Sequence, residues 1–334
     1  MNKYIFFRTD RIGDFLLSAV LIKAIKRNDQ SSHITVVCSN KNYNFVKEIN
    51  YVDSAILYPN NILDKIKFFF NLLNKKYFFS CILDGKKRSI YLSLIIKAKI
   101  KIFCTYKIFY RFIFNFFFTK ILVDNKYLTK KDEMNDILKL LNLELIEEDL
   151  NILTNRNYNH DHIYNFINNK KNFILFHLDE KWIYDQYLKS YTTIQPNSYL
   201  DLIEFLKKIT NLTNKDLFIS TGYFNNKFTE NFVDDFNKYD KDIFKLEDSN
   251  IYFLNNLNLN QLEFAIANCS TFISCHGAPT HLASSFNKKI IDIIDSSEKI
   301  FFDKWSSHFR NHNQLIRDKF TILSNLILKK LIKD

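Results

Sequence analysis

The sequence predicts two α/β domains, each built on a parallel sheet with helices on both faces. Three observations carry that prediction. Short β-rich runs alternate with helical patterns along most of the chain, the alternation lapses once into polar residues, and all four glycines stand just beyond the ends of expected strands. With 334 residues and 47% hydrophobic content, the chain has the material for a large core and for two domains of common size.

The elements follow in order. "KYIFFRT" opens as a strand and leads to a helix over Phe15–Arg27, whose first half is apolar nearly all round, as packing on a sheet requires. "HITVVCS", a helix over 41–49, "AILYP", a helix in the sixties and "YFFSCILDG" continue the alternation. Between Asn142 and His162 the pattern dissolves into "NLELIEEDLNILTNRNYNHDH", which reads as a linker near 150–170. It restarts with "NFILFHL", a helix at 197–210, "DLFIST", a helix near 227–237, "STFISCHG", "PTHLASSF" and "KKIIDIID". The domains are therefore expected at 1–155 and 170–334.

Charge narrows the partners. Lys and Arg number 47 against 36 acids, a net charge of +11 that suits an anionic partner. The excess is local: from Lys86 to Lys131 there are twelve lysines and arginines, Lys126 among them, and one acid, Asp124. These cations are interleaved with Tyr and Phe, a pattern that suits peripheral contact with an anionic membrane. Lys107, Arg111 and Lys120 interrupt the apolar run, so no spanning helix is expected. No nucleic-acid recognition motif accompanies the charge, and a nucleic-acid partner is not expected. Five scattered cysteines, Cys38, Cys81, Cys104, Cys269 and Cys275, suggest neither a disulfide framework nor a metal site. Together with an N-terminus that enters a strand at once, they point to the cytoplasm, with the inner face of the inner membrane as the surface such a protein would touch.

Two stretches hold more chemistry than a fold needs. In "RTDRIGD", Arg8 to Asp14, four ionisable groups and Gly13 fill the turn between a buried strand and a helix, where a cap and a flexible residue would suffice. In "CHGAPTHLA", Cys275 to Ala283, a strand ends at small and polar residues and a helix begins near Pro279, with His281 in its opening turn. Free N–H groups and the positive end of the helix dipole make such a start suitable for a diphosphate. Gly13, Gly85, Gly222 and Gly277 mark the sheet edges where ligands bind in open parallel sheets, and close approach or unusual φ is expected there. "DGKKRS", Asp84 to Ser89, is either a charged helix start or part of the first crevice. "HDH", His160 to His162, has no third ligand at metal spacing and reads as a solvated loop; no metal and no cofactor are expected.

These residues carry a resemblance. "RTDRIGDFLLSAVLIKAIKR" and the strand after it resemble the opening of the glycosyltransferase family 9 proteins, the lipopolysaccharide heptosyltransferases. The family's R-x-x-x-I-G-D turn is matched by Arg8, Ile12, Gly13 and Asp14, with Arg11 at an open position. Its N-D-S-G-P-x-H-L-A signature is similar to "CHGAPTHLA", with Pro279, His281, Leu282 and Ala283 in place. The likeness covers about residues 1–60 and 255–295.

The resemblance implies a GT-B fold, two Rossmann-like domains facing across a cleft, the first binding the acceptor and the second a nucleotide-sugar. It implies inverting, metal-independent transfer to a lipopolysaccharide core or surface-polysaccharide acceptor, an anionic glycan or lipid-linked molecule. Asp14 takes the role of catalytic base. Arg8, Arg11 and Gly13 fall on the acceptor side, where Arg8 would hold the acceptor or pin Asp14. Lys181, Gly222, His276, Gly277, Ala278, Thr280 and His281 fall on the donor side. The sequence departs from the family where His276 replaces an aspartate, Ala278 a glycine, and Asp179 and Glu180 stand where hydroxyls are usual. These changes leave open whether the donor is ADP-heptose or another nucleotide-sugar. They also keep a second reading in play, a non-catalytic relative serving as a carbohydrate-binding or assembly protein at the membrane.

Overall fold

The computed structural model describes residues 1–124, 129–153, 158, 161–170, 172–182, 199–222 and 227–332. Lys126 of the basic segment, His160 of "HDH" and the first two residues of the helix expected at 197–210 lie outside that range. The chain divides into two compact units, Met1–Arg156 with Lys304–His308, and Asn157–Asp303 with Phe309–Asp334.

The first unit runs β1 (Lys3–Arg8), α1 (Ile12–Asn28), β2 (His33–Cys38), α2 (Tyr43–Val46), β3 (Ser54–Leu57), α3 (Ile62–Leu73), β4 (Lys76–Ile82), α4 (Lys87–Ile95), β5 (Lys97–Thr105), α5 (Ile108–Phe114), β6 (Lys120–Val123) and α6 (Lys130–Lys139). Its sheet has the order β3-β2-β1-β4-β5-β6 and every pairing is parallel. Strand order reverses between β1 and β4, so the loops after these strands part and leave a crevice at the C-terminal edge. β1 is buried from Tyr4 to Arg8 because helices cover both its faces.

Two expectations are corrected here, and one stretch left without elements is filled in. α1 begins at Ile12, which places Gly13 and Asp14 inside its first turn; Asp14 is its third residue and Arg11 its N-cap. The helix expected over 41–49 is a single turn, and the aromatic basic stretch yields two strands, β5 and β6, around the short α5. Asp124, the one acid of that stretch, is half-buried and paired with Lys304 at 2.5 Å and Lys130 at 3.6 Å.

In the second unit the described elements are α7 (His162–Asn168), β7 (Ile174–Leu178), α8 (Tyr199–Thr213), β8 (Leu217–Thr221), α9 (Lys227–Asp235), β9 (Asn237–Asp240), β10 (Ile243–Lys245), β11 (Ile251–Leu254), α10 (Leu259–Asn268), β12 (Thr271–Cys275), α11 (Ala278–Ser285), β13 (Lys289–Ile294), α12 (Lys299–Trp305), β14 (His312–Ile316) and α13 (Phe320–Ile332). The sheet order is β14-β13-β12-β7-β8-β11-β10-β9. The first six strands in that order are parallel, while β9 and β10 add an antiparallel ribbon where a wholly parallel sheet was expected. The switch point lies between β7 and β12. Phe176, Trp182, Phe205 and Phe253 fill the core beneath it. All five cysteines are free and buried.

Candidate functional site

Each unit has a candidate site at its own switch point. In the first unit the loops after β1 and β4 are tied together by one carboxylate. Asp84 accepts from the Thr9 backbone N–H at 3.0 Å, from the Thr9 hydroxyl at 2.5 Å and from the Ser89 hydroxyl at 2.8 Å. Gly85 follows with φ +58°, a left-handed conformation that costs a residue with a Cβ, and the turn it makes sends Lys86 and Arg88 back over β1. Lys86 Nζ and Arg88 Nη2 both donate to the Thr9 carbonyl, at 2.7 and 2.8 Å. Asn42, buried after β2, donates to the Arg8 carbonyl at 2.8 Å and accepts from Ser39 N–H at 2.9 Å.

These ties shape an open cavity of about 470 Å³. Asp10, Arg11 and Asp14 line it from the β1–α1 turn, Ser39 to Lys41 from the loop after β2, Tyr58 and Asn60 from the loop after β3, and Lys86 and Arg88 from the β4–α4 turn. Four cations and two carboxylates thus meet around one concave space open to the surface. An anionic ligand bearing a reactive hydroxyl fits that inventory.

The carboxylates differ. Asp14 stands at the cavity wall, its Oδ2 accepting from the Arg11 backbone N–H at 3.2 Å, so the helix start orients it. Asp10 pairs with Arg8 at 3.2 Å, yet burial pushes its carboxyl up to about 6, with Arg8 opposing and the charges of Asp14 and Asp84 adding to the rise. Arg8 is 5% exposed and lies beneath the cavity rather than in its wall; its guanidinium donates to the Asp14 carbonyl at 2.8 Å and to the Leu83 carbonyl. It positions the turn by holding the Asp14 backbone, not by an ion pair with the Asp14 side chain. Gly13 has no positive φ and is an ordinary helical residue; the special backbone is at Gly85.

In the second unit the described charged side chains at the crevice are bonded to one another and to the backbone. Lys181 follows β7, and its ammonium donates to the His276 carbonyl at 2.9 Å and pairs with Asp179 at 3.2 Å. Burial opposes the charge, but Asp179, with Cys275 and Glu180 adding to it, reverses this and holds the ammonium above its ordinary range. A Cβ at Gly277 would collide with Lys181 Nζ, and one at Gly222 would lie 2.7 Å from Glu180 Oε2. The close approach expected at these glycines is thus made by the β7 loop itself. His276 Nδ1 bonds Asp292 Oδ2 at 2.7 Å, and His312 Nε2 bonds the same oxygen at 2.9 Å. Asp292 is fully buried; burial alone would raise its pKa, and the two imidazoles reverse this and hold it below the usual carboxylate range.

α11 starts at Ala278 with Gly277 as its N-cap and Pro279 in the first turn. Thr280 is buried, and its hydroxyl accepts from the Gly277 N–H at 3.2 Å while donating to the Gly277 carbonyl at 2.6 Å, so it caps the helix rather than facing a ligand. His281, 5% exposed, packs edge-on against Phe309 at 5.0 Å and His276 at 5.4 Å. The structure brings Lys181, His276, Gly277 and His281 to one edge, with Gly222 against the same β7 loop. Sequence reasoning missed Asp10 and Lys41 in the first unit, and Asp292 and His312 in the second.

No family model matches the sequence, and no curated protein matches it in sequence. Solved structures do match. A glycosyl transferase of family 9 from Veillonella parvula aligns over 99% of this chain and 89% of its own, with TM-score 0.65 and 16% identity. The ADP-heptose lps heptosyltransferase II of E. coli aligns over 99% of this chain and 97% of its own, with TM-score 0.65 and 13% identity. The chain has the GT-B fold of the family 9 glycosyltransferases. The UDP-GlcNAc 2-epimerase of Methanocaldococcus jannaschii also aligns, over 100% of this chain and 92% of its own, with TM-score 0.57 and 12% identity. The GT-B fold therefore accounts for the switch-point crevice in each unit, and the residues in those crevices have to decide the activity.

Proposed function

We propose that the protein is an inverting glycosyltransferase that moves a sugar from a nucleotide-sugar to an anionic, lipid-linked glycan acceptor, as in lipopolysaccharide core or surface-polysaccharide synthesis. One observation carries this reading: Asp14, set by the first turn of α1, stands in the wall of a large open cavity ringed by Arg11, Lys41, Lys86 and Arg88. The names of the structurally similar proteins add support, since a heptosyltransferase and an epimerase both act on nucleotide-sugars by those names.

The chemistry follows from the parts. The cations orient the acceptor's anionic groups so that its hydroxyl meets Asp14. The hydroxyl oxygen attacks the anomeric carbon, its proton passes to the Asp14 carboxylate, and the bond from that carbon to the diphosphate oxygen breaks with inversion. Positive charge on the donor side, from Lys181 and the N–H groups opening α11, stabilises the departing nucleoside diphosphate, and the reading needs no metal for that step.

A second reading has its own observation. Lys181 is already bonded to the His276 carbonyl and to Asp179, and that arrangement favours a carbohydrate-binding relative without turnover. Thermal-shift titration against a panel of nucleotide-sugars, followed by assay of nucleoside diphosphate release with the best binder, separates the two. Stabilisation with release supports the transferase; stabilisation by none of the panel overturns it.

No helix among the described residues is long and apolar enough to cross a membrane. α5 exposes Phe109 and Phe112 beside Lys107 and Arg111, which supports the peripheral contact with anionic lipid that the composition suggested.

A further inference from the structure

A second cavity, of about 520 Å³, lies next to the charged one in the first unit. Phe68 and Phe69 of α3 and Leu92, Leu94 and Ile95 of α4 wall it, and its surface is mostly apolar. The two cavities share Tyr58 and Arg88. At that shared wall the Arg88 guanidinium stacks 4.9 Å from the Tyr58 ring while bonding Thr9, so its stem and the ring border the apolar space and its charge borders the polar one.

The groove opens on an unusual helix layer. Leu72 of α3, Ile90 of α4 and Tyr110 and Phe114 of α5 pack into the same core cluster as Ile5 and Phe7 of β1, so the three helices cover one face of the sheet. Their outer side is apolar where a solvated layer would be polar: Ile62 and Leu63 of α3 are 73% and 69% exposed, and Phe112 of α5 is 73% exposed. Cations punctuate it, and Asp124, the one acid between Lys86 and Lys131, is occupied by Lys304 and Lys130.

We propose that the α3–α4 groove takes the hydrocarbon chain of an anionic lipid whose phosphate-bearing head lies among Arg11, Lys86 and Arg88, so that the acceptor is drawn from a lipid surface with part of its chain held by the protein. The continuity of an apolar cavity with a cationic one selects this occupant over an apolar peptide, which would leave the cations unmatched, and over a free glycan, which would leave the groove unfilled. The proposal rests on the reading of the charged cavity as the acceptor site.

Dodecyl phosphate, used below its micelle concentration, is the probe, with inorganic phosphate and dodecyl maltoside as comparators. Burial of the chain should make dodecyl phosphate bind at least about tenfold more tightly than inorganic phosphate, and more tightly than the maltoside. Leu94→Asp should remove that gain; Phe69→Gln provides the same test should Leu94→Asp fail to fold. Phe112→Asp on α5, outside the groove, should leave dodecyl phosphate affinity unchanged while reducing adsorption to phosphatidylglycerol vesicles. Equal affinity for dodecyl and inorganic phosphate would overturn the groove, as would a chain-dependent gain that survives in the folded groove variants. A parallel nucleotide-sugar titration keeps the outcomes apart, since its failure sinks the transferase reading and leaves the lipid result standing.

Discussion

The two switch points are built alike and finished differently. Each lies at the C-terminal edge of a sheet where strand order reverses, between β1 and β4 in the first unit and between β7 and β12 in the second. In the first, the buried ties, Asp84 to Thr9 and Arg8 to the Asp14 carbonyl, lie beneath the surface and leave Asp14, Lys41 and other charges facing an open cavity. In the second, the charged groups satisfy one another: Lys181 with Asp179 and the His276 carbonyl, Asp292 with two imidazoles. The lesson is that one topology supplies a crevice twice, while side-chain pairing decides whether its charges are offered outward or held in reserve.

The contrast can be broken in order of expected effect. Asp292→Ala strips the buried partner from His276 and His312 and should destabilise the second unit by about 3–5 kcal/mol, the scale for breaking a buried pair. Urea unfolding followed by hydrogen exchange should place that loss in the second unit; an equal loss of protection at β1 and β4 would deny that the two networks are independent.

Asp14→Asn comes next. It keeps an acceptor for the Arg11 N–H but is a poor base, so turnover should fall roughly 10²-fold or more with melting temperature and donor affinity near wild type. Full turnover in the folded variant would move the base elsewhere, with Asp10 as the next candidate.

Asp10→Asn sharpens the picture in the opposite sense. A carboxyl raised to about 6 binds its proton more tightly in the folded state, so Asp10 lowers stability as pH rises from the unfolded value through about 6. With its side chain 19% exposed, replacement by Asn should raise stability at pH 7 by roughly 1–3 kcal/mol and flatten the pH dependence in that window. A loss of stability at pH 7 would mean the Arg8 pair outweighs burial.

The smallest effect is at the cavity rim. Lys41→Ala should weaken binding of an anionic acceptor by a few fold, and the loss should shrink as salt is raised. Insensitivity to both would remove Lys41 from the acceptor's path.

Much of this was legible without coordinates. The alternation of β-rich and helical runs determined an α/β chain, because period and burial follow from local sequence, and the charge crowded into "RTDRIGD" exceeded what a turn needs and so marked a site. The start of α1 was misjudged by three residues, since no local signal distinguishes a helix beginning at Ile12 from one beginning at Phe15 once Asp14 can cap either. Three features belonged to the tertiary structure alone. Asp10 owes its raised carboxyl chiefly to burial, with the charges of Asp14 and of Asp84, which lies on another loop, adding to it; Asp292 meets His276 and His312 only because β12, β13 and β14 lie side by side; and the apolar groove exists only between α3 and α4. Local sequence determines which segments become strands and helices. The electrostatic state of a side chain depends instead on neighbours tens of residues away, and only the folded chain brings those neighbours within reach.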